Sequence, residues 1–399
     1  MSTKKVVIIG SNFAGLTAAL ELDKRMDGQL DLVVISKTDE FLFMPSLIWV
    51  PFGKRTREDI TFPLRPIYDK RNIHFIQAAV TQIIPEERKV VYDDGEQDYD
   101  YLVIATGPSI NWADVPGLGP HGGYTQSIFT LADAEKAADA FEEFVQDPGP
   151  VVIGAVQGAA CFGAAYEFLF NMAYQLKKRG IADKAPLTYV SAEPFAAHFG
   201  MGGFGAGTKM TEFFFNKLKI QGVFNAEFAR IEPGNVVLTD GTTYPFKYAM
   251  LAPSFLGAEV VRRLTNITTP TGFVKVNDYY QTHDYPEVYA AGVAVALAPT
   301  DETPVPCGVP KTGYLSEEMA KVVAGNIVAD ILGKPKEALP PGRIDAKCVM
   351  DAGNTGIIMT SDAFLEPRKH EWLIPGPEAH WAKLAFEKYY MATHRRGYV

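Results

Sequence analysis

The stretch KKVVIIGSNFAGLTAALELDKR (residues 4–25) limits this chain to very few folds. Val6–Ile9 is an unbroken β-branched run, the pattern of a strand covered on both faces in a parallel sheet. Gly10 and Gly15 occupy the first and third positions of a G-x-G-x-x-G turn, and a helix follows. Asn12 stands where the middle glycine belongs, which weakens the motif, although Asn tolerates unusual backbone angles. The next strand, LDLVVIS, ends at Ser36-Lys37 without the acid that usually holds a ribose. This is a strand–turn–helix of the dinucleotide-binding kind, short of two of its customary contacts.

The unit recurs. PVVIGAVQGAACFGAAYEF (150–168) opens the same way at Gly154, but Val156 and Ala159 fill the two later glycine positions. A β-branched residue is badly suited where pyrophosphate needs bare backbone. Glu193 follows the next strand, yet Pro194 puts it in a loop. The reading is a Rossmann-like unit that has lost its nucleotide chemistry and carries Cys161 near a helix start, where the helix dipole favours a thiolate. Taken alone, a free cysteine is more often a small buried hydrophobe. KVVYDDGEQDYDYLVIATGPS (89–109) and NVVLTDGTTYPFKYAMLAPSF (235–255) repeat a hairpin, a short strand and a loop, with Asp-Gly expected at the turn. One plan is used twice.

A length of 399 residues suits two domains or slightly more, and 47% hydrophobic content with 21% charged is that of a packed globular protein. Net charge −9 argues against a general nucleic-acid binder. No run of 18 apolar residues is long enough to span a bilayer, and the first strand begins too early for a cleavable signal peptide. Three cysteines, Cys161, Cys307 and Cys348, make no disulfide framework, and no metal site is expected.

YDYLVIATGPS (99–109) and EVYAAGVAVAL (287–297), strands ending near Gly107 and Gly292, resemble the two-dinucleotide-binding-domain flavoproteins, which hold FAD. In that family the last strand usually ends Gly-Asp; here Val293 follows Gly292. The resemblance implies an α/β fold with the second Rossmann-like domain inserted in the first: residues 1–112 and 250–330 for FAD, 113–249 not expected to bind NADH, and 331–399 for a C-terminal redox-cysteine, quinone and membrane region. GAACFGAAYEF, GVPKTGYLSEEMA (308–320), CVMDAGNTG (348–356) and HWAKLAFEKYYMATHRRG (380–397) together resemble sulfide:quinone oxidoreductase over nearly the whole chain.

That resemblance implies Cys161 and Cys348 as a redox pair, with flavin attack assigned to Cys348 and persulfide growth to Cys161. It implies Glu167 and His198 as acid–base groups, and Lys311 as the charge that stabilises reduced flavin. FAD contacts are expected at Gly10, Asn12, Phe13, Ala14, Gly15, Ser36, Lys37, Pro45, Val80, Ala105, Thr106, Gly107, Gly292, Val293, Lys311, Thr312 and Gly313. Quinone contacts are expected at Ile358, Phe386 and Tyr390. A third cysteine that many members carry is absent, since Ser127-Ile128-Phe129 stands in its segment. Cys307 reads as buried and inert. In EAHWAKLAFEKYYMATHRRGYV, Trp381, Leu384, Ala385 and Tyr389 fall at helical spacing while Lys383, Lys388, Arg395 and Arg396 supply cations, as in a helix lying in a membrane interface. FLFMPSLIWVPFG (41–53) and HEWLIPG (370–376) look exposed and add to that surface. The expected substrates are sulfide and a membrane quinone, with peripheral membrane contact; whether the protein is a homo-oligomer stays open. Rival readings are a type II NADH:quinone oxidoreductase, the flavoprotein subunit of a flavocytochrome sulfide dehydrogenase, and a flavin-bearing sensor.

Overall fold

A computed structural model describes residues 3–399. The β-branched runs pair as their composition demands. A parallel five-stranded sheet runs in the order Val288–Ala290, Tyr101–Ile104, Lys5–Ile9, Asp31–Ser36, His74–Gln77. Helix Phe13–Met26 leaves the central strand through the Gly10 turn and packs along helix Gly313–Ile331, which returns from the far end of the chain. Strands from before and after the second unit therefore share one sheet, and the second unit is inserted between them.

The second unit has its own parallel sheet: Gln221–Val223, Leu187–Ser191, Val151–Ala155, Tyr248–Ala252. Its last strand straddles the boundary expected at 249/250, so the unit runs to Ala252. The repeated hairpins form small antiparallel sheets, Val80–Ile84/Lys89–Tyr92/Gly95–Asp98 and Phe228–Glu232/Asn235–Leu238/Thr243–Pro245. Their turns differ. Gly241 sits in the second turn at φ +87°, but Gly95 opens a strand opposite Tyr92, leaving Asp93-Asp94 as the first turn.

The C-terminal region is an antiparallel sheet, Ala346–Asp351, Gly356–Ser361 and Glu371–Gly376, followed by helix Pro377–His394. Residues 41–53 correct an expectation. Met44–Phe52 is a 3-10 helix whose Leu47, Ile48, Trp49, Val50 and Phe52 are buried against helices Leu131–Gln146 and Phe162–Lys178. Of the helix only Met44 stays largely exposed, at 40%. The run has neither strand nor α-helix period, so its two-sided burial left no pattern to read.

Candidate active site at the junction of the sheets

The first nucleotide turn is built for close approach. A side chain at Gly10 (φ +98°) would put its Cβ 2.3 Å from the Ala105 carbonyl oxygen, and one at Gly15 would lie 1.9 Å from that of Gly10. Gly292 (φ +72°) packs against Ala14 and Ser316 in the same way. Asn12 caps helix Phe13–Met26 without a side-chain bond, and its buried Oδ1 has no hydrogen-bond partner among the described residues. A free amide beside a helix N-terminus can turn a donor to a phosphate. Open space surrounds the Cβ position of Gly107, and Ser11 donates to Ser36 (2.8 Å) where an acid would otherwise stand. These residues fit a dinucleotide such as FAD. Thr312 caps the second helix aimed here, accepting from the Leu315 amide, and Gly313 packs on the Phe13 ring. Phe13 and Ala14 are buried, Thr106 and Val293 half-buried and Lys37 exposed; Pro45 is the second residue of the 3-10 helix and Val80 begins the first hairpin sheet.

Lys311 does not point freely into this space. Its Nζ donates to the carbonyls of Val295 (2.6 Å) and Val293 (3.2 Å) and stands 3.9 Å from the centre of the Phe273 ring. Burial pulls its pKa down to about 7. It thus pins the segment after Gly292, where the acid is missing, and its charge also acts on Cys161.

The second nucleotide loop is filled by the chain itself. The Gly158 amide donates to Pro306 (2.6 Å), the Gly308 amide to Ala159 (2.9 Å), and Gln157 bonds both backbone groups of Phe228. Residues 305–308 thus bond two residues of this loop. Gly154 survives for packing alone, since a Cβ there would lie 1.7 Å from the Val190 carbonyl oxygen.

Cys161 is the N-cap of helix Phe162–Lys178, as the spacing predicts, yet its thiol is not acidified. The residue keeps some exposed surface, but its sulfur is enclosed, and burial pushes its pKa up to about 12 against the opposing charge of Lys311. The expected dipole effect is outweighed. Cys348, on strand Ala346–Asp351, is pushed up to about 11 by burial, with Glu167 adding to the shift and Lys383 opposing it. Among the described residues all three cysteines are free thiols, and Cys307 is buried with its sulfur toward the Val305 carbonyl. The Cys161 helix packs directly on the Cys348 strand: a Cβ at Gly163 would lie 3.9 Å from the Met350 sulfur, and Glu167 accepts from the Asp351 amide (2.7 Å).

Glu167 also receives Lys383 in a buried ion pair, and burial raises the carboxyl above its usual range. Lys383 was expected on the exposed, cationic side of the C-terminal helix; it is 4% exposed and faces inward. Glu387, one turn on, is buried against Arg55 (2.8 Å) and Ser46. Next to them Asp351 accepts from Trp49 Nε1 (2.8 Å) and lies 2.5 Å from His380 Nδ1. Burial opposes its ionisation, but these bonds and the Lys54 charge hold it below the usual carboxylate range. Trp49, Lys54, Arg55, His380 and Leu384 line a cavity of about 270 Å³ beside this cluster. Sequence reading missed Asp351, His380, Trp49 and Lys54 here, because their partners are about 30 to 300 residues apart.

His198 is fully buried with both ring nitrogens committed: Nδ1 accepts from the Gly200 amide (3.2 Å), so Nε2 donates to Asp301 (2.9 Å). Nearby Glu193 turns inward and accepts from Tyr166, Tyr189, Ser191 and the Phe199 amide. Burial raises it to about 7. A carboxyl that binds its proton more tightly folded than unfolded stabilises fully below its unfolded pKa, and that contribution is lost as pH rises through about 7. Glu193→Gln should therefore flatten the fall in thermal midpoint between about pH 5 and 8; an unchanged pH profile would contradict the assignment.

Of the expected quinone residues, Phe386 (48% exposed) and Tyr390 (2% exposed) come together around Phe43, with ring centroids 5.8 and 4.9 Å from it. Tyr390 also packs on Phe13 of the first turn and donates to Glu317. Ile358 is on the middle strand of the C-terminal sheet, which packs on the helix that carries Phe386 and Tyr390.

Two Rossmann-like sheets, one of them with an open dinucleotide cradle, and a cysteine-capped helix packed on a cysteine-bearing strand are the frame of a flavin-dependent oxidoreductase of the disulfide-reductase type. The family model for pyridine nucleotide-disulphide oxidoreductase matches residues 4–302. The chain is 38% identical to the sulfide-quinone reductase of Aquifex aeolicus, over 99% of this chain and 92% of that one. The crystal structure of the Aquifex sulfide:quinone oxidoreductase superposes with a TM-score of 0.94 over the same shares. The mitochondrial sulfide:quinone oxidoreductase of Dictyostelium discoideum is 28% identical over 83% of this chain and 72% of its own. A type II NADH:quinone oxidoreductase of Staphylococcus aureus matches at 26% over 48% of this chain and 50% of its own. The chain belongs to the pyridine nucleotide-disulphide oxidoreductase family, among its FAD-dependent sulfide-quinone reductases.

Proposed function

We propose that this protein oxidises sulfide to zero-valent sulfur and reduces a quinone. The observation that carries the reading is the meeting of the Cys161 helix and the Cys348 strand beside a nucleotide loop already filled by residues 305–308. FAD held by the Gly10–Gly15 turn, Ala105–Gly107, Gly292 and the Thr312 helix supplies a two-electron acceptor. Cys161 and Cys348 are the pair through which sulfide delivers those electrons, because thiol–disulfide exchange needs no charged intermediate beyond a thiolate. Lys311 orders the segment after Gly292, and Glu167 with Lys383 offers a buried proton-exchanging pair beside Cys348.

The experiment is anaerobic. Sulfide should bleach the flavin, a short-chain quinone should restore it, and NADH should do neither. Bleaching by NADH would favour the type II NADH:quinone oxidoreductase reading.

No helix among the described residues is long and apolar enough to cross a membrane. Peripheral attachment is supported by exposed aromatic and aliphatic side chains on the C-terminal elements: Trp372 and Ile374 on one face of the edge strand, then Trp381, Phe386 and Tyr389 on the helix, 48–68% exposed. Amphipathic rings of this kind settle at the headgroup boundary. Pairing Trp372→Ser with Trp381→Ser is expected to weaken vesicle binding by about tenfold or more. Co-sedimentation with anionic vesicles measures it, and equal binding by both proteins would move the contact elsewhere.

A further inference from the structure

The cavity beside the Asp351 cluster is lined by nitrogen donors that are only partly used. Lys54 and Arg55 follow Gly53, the left-handed residue (φ +64°) that ends the 3-10 helix. Lys54 Nζ donates to Asn171 Oδ1 and to the Gly353 carbonyl at 3.3 Å each, which leaves one of its three N–H groups without an acceptor. Arg55 commits Nε to Glu387 and Nη1 to the Lys54 carbonyl (2.7 Å), and its Nη2 has no acceptor among the described residues. His380 gives Nδ1 to Asp351, and its Nε2 is likewise unpaired among them. These three side chains keep 17–23% of their surface exposed, so the cavity opens to the outside. Its donors are fixed from behind. Asp351 and Glu387 are buried and already bonded, Asp351 to His380, Trp49 and the Gly353 amide, Glu387 to Arg55 and Ser46. The Arg55 guanidinium lies 4.7 Å from the centre of the Trp49 ring, whose own N–H is held on Asp351. No acidic residue lines the cavity.

We propose that this cavity is an oxyanion site that takes the headgroup phosphate of an anionic membrane lipid. The proposal rests on the peripheral attachment inferred above. Arg and Lys turning N–H groups toward one space is the chemistry of phosphate recognition, and a phosphate has oxygens enough for several donors at once. A volume of about 270 Å³ holds such a group together with its waters. Burial lowers the Lys54 pKa and Asp351 opposes the fall, so a second anion here would strengthen the ammonium that it meets. The source of the phosphate follows from the mouth of the cavity. Leu384 forms an apolar part of its wall, and the exposed Trp381 sets its ring edge-on to His380, 5.6 Å between centres. With the phosphate inside, the glycerol and acyl carbons of a lipid would run along those two side chains. The choline of a zwitterionic lipid would meet the same cations as its phosphate, so phosphatidylglycerol is favoured over phosphatidylcholine.

The test is co-sedimentation of the FAD-loaded protein with phosphatidylcholine vesicles and with vesicles that also contain phosphatidylglycerol. Lys54→Gln should cut the preference for phosphatidylglycerol by about tenfold or more, the loss of a charged hydrogen bond. Leu384→Glu sets a carboxylate in the cavity wall, leaves the bonds of Lys54 and Arg55 in place, and should do the same. Lys388→Gln changes the net charge equally on the exposed side of the same helix and should cost about fivefold at most. Equal losses in all three variants would mean diffuse attraction and overturn the proposal. Inorganic phosphate that raises the thermal midpoint of the unmodified protein but not of Lys54→Gln, with no preference between vesicles, would make the ligand free phosphate and overturn the lipid assignment. Equal binding to both kinds of vesicle, with no effect of inorganic phosphate, overturns the site alone. Binding to neither overturns it together with the peripheral attachment.

Discussion

Serine in place of Cys348 is expected to abolish flavin bleaching by sulfide, slowing it by about a thousandfold or more. A hydroxyl is nearly the size of a thiol but cannot form or break an S–S bond, so chemistry is lost while packing is kept. The strand that carries Cys348 is held by its pairing with Met359 on the next strand and at its end by the Asp351 cluster. FAD content and thermal midpoint should stay near those of the unmodified protein. Cys307→Ser is the control: that thiol is buried within segment 305–308 with its sulfur toward the Val305 carbonyl, so its loss should leave bleaching intact. Stopped-flow absorbance on both variants decides the matter. Bleaching of Cys348→Ser at the normal rate would remove Cys348 from the redox pair.

The second large effect concerns stability. Lys383→Met leaves Glu167 buried without its cation and should cost about 3–5 kcal/mol. The loss should grow with pH, because an unpaired buried carboxyl takes up a proton at low pH and resists ionisation at high pH. Adding Glu167→Gln to Lys383→Met should recover most of it, since the penalty belongs to the uncompensated charge and not to the loss of attraction. Denaturant midpoints of the two single variants and the double variant complete the cycle. A double variant no more stable than Lys383→Met would show that the two side chains act independently.

The parallel sheets were legible because strand, turn and helix follow one another within about twenty residues, the range over which β-branched runs and glycine spacing carry information. The damaged second loop was legible for the same reason: Val156 and Ala159 stand within five residues of Gly154. What fills that loop was not, since Pro306 lies 148 residues beyond Gly158 and nothing local marks their pairing. Lys383 failed differently. On a helix with little amphipathic contrast a lysine counts as surface, and only the carboxylate of Glu167, 216 residues away, makes burial tolerable. The aromatic 3-10 helix and the Asp351 cluster share that limit, because buried polar groups are explained by partners that folding alone supplies.

The segment 305–308, seated across the second loop, has a consequence for energy supply. A dinucleotide would enter there only by displacing the bonds that tie Gly158 to Pro306 and Gly308 to Ala159. With sulfide as the donor, electron flow to quinone would follow external sulfide alone and stay insulated from whether the cell is rich or poor in reducing equivalents.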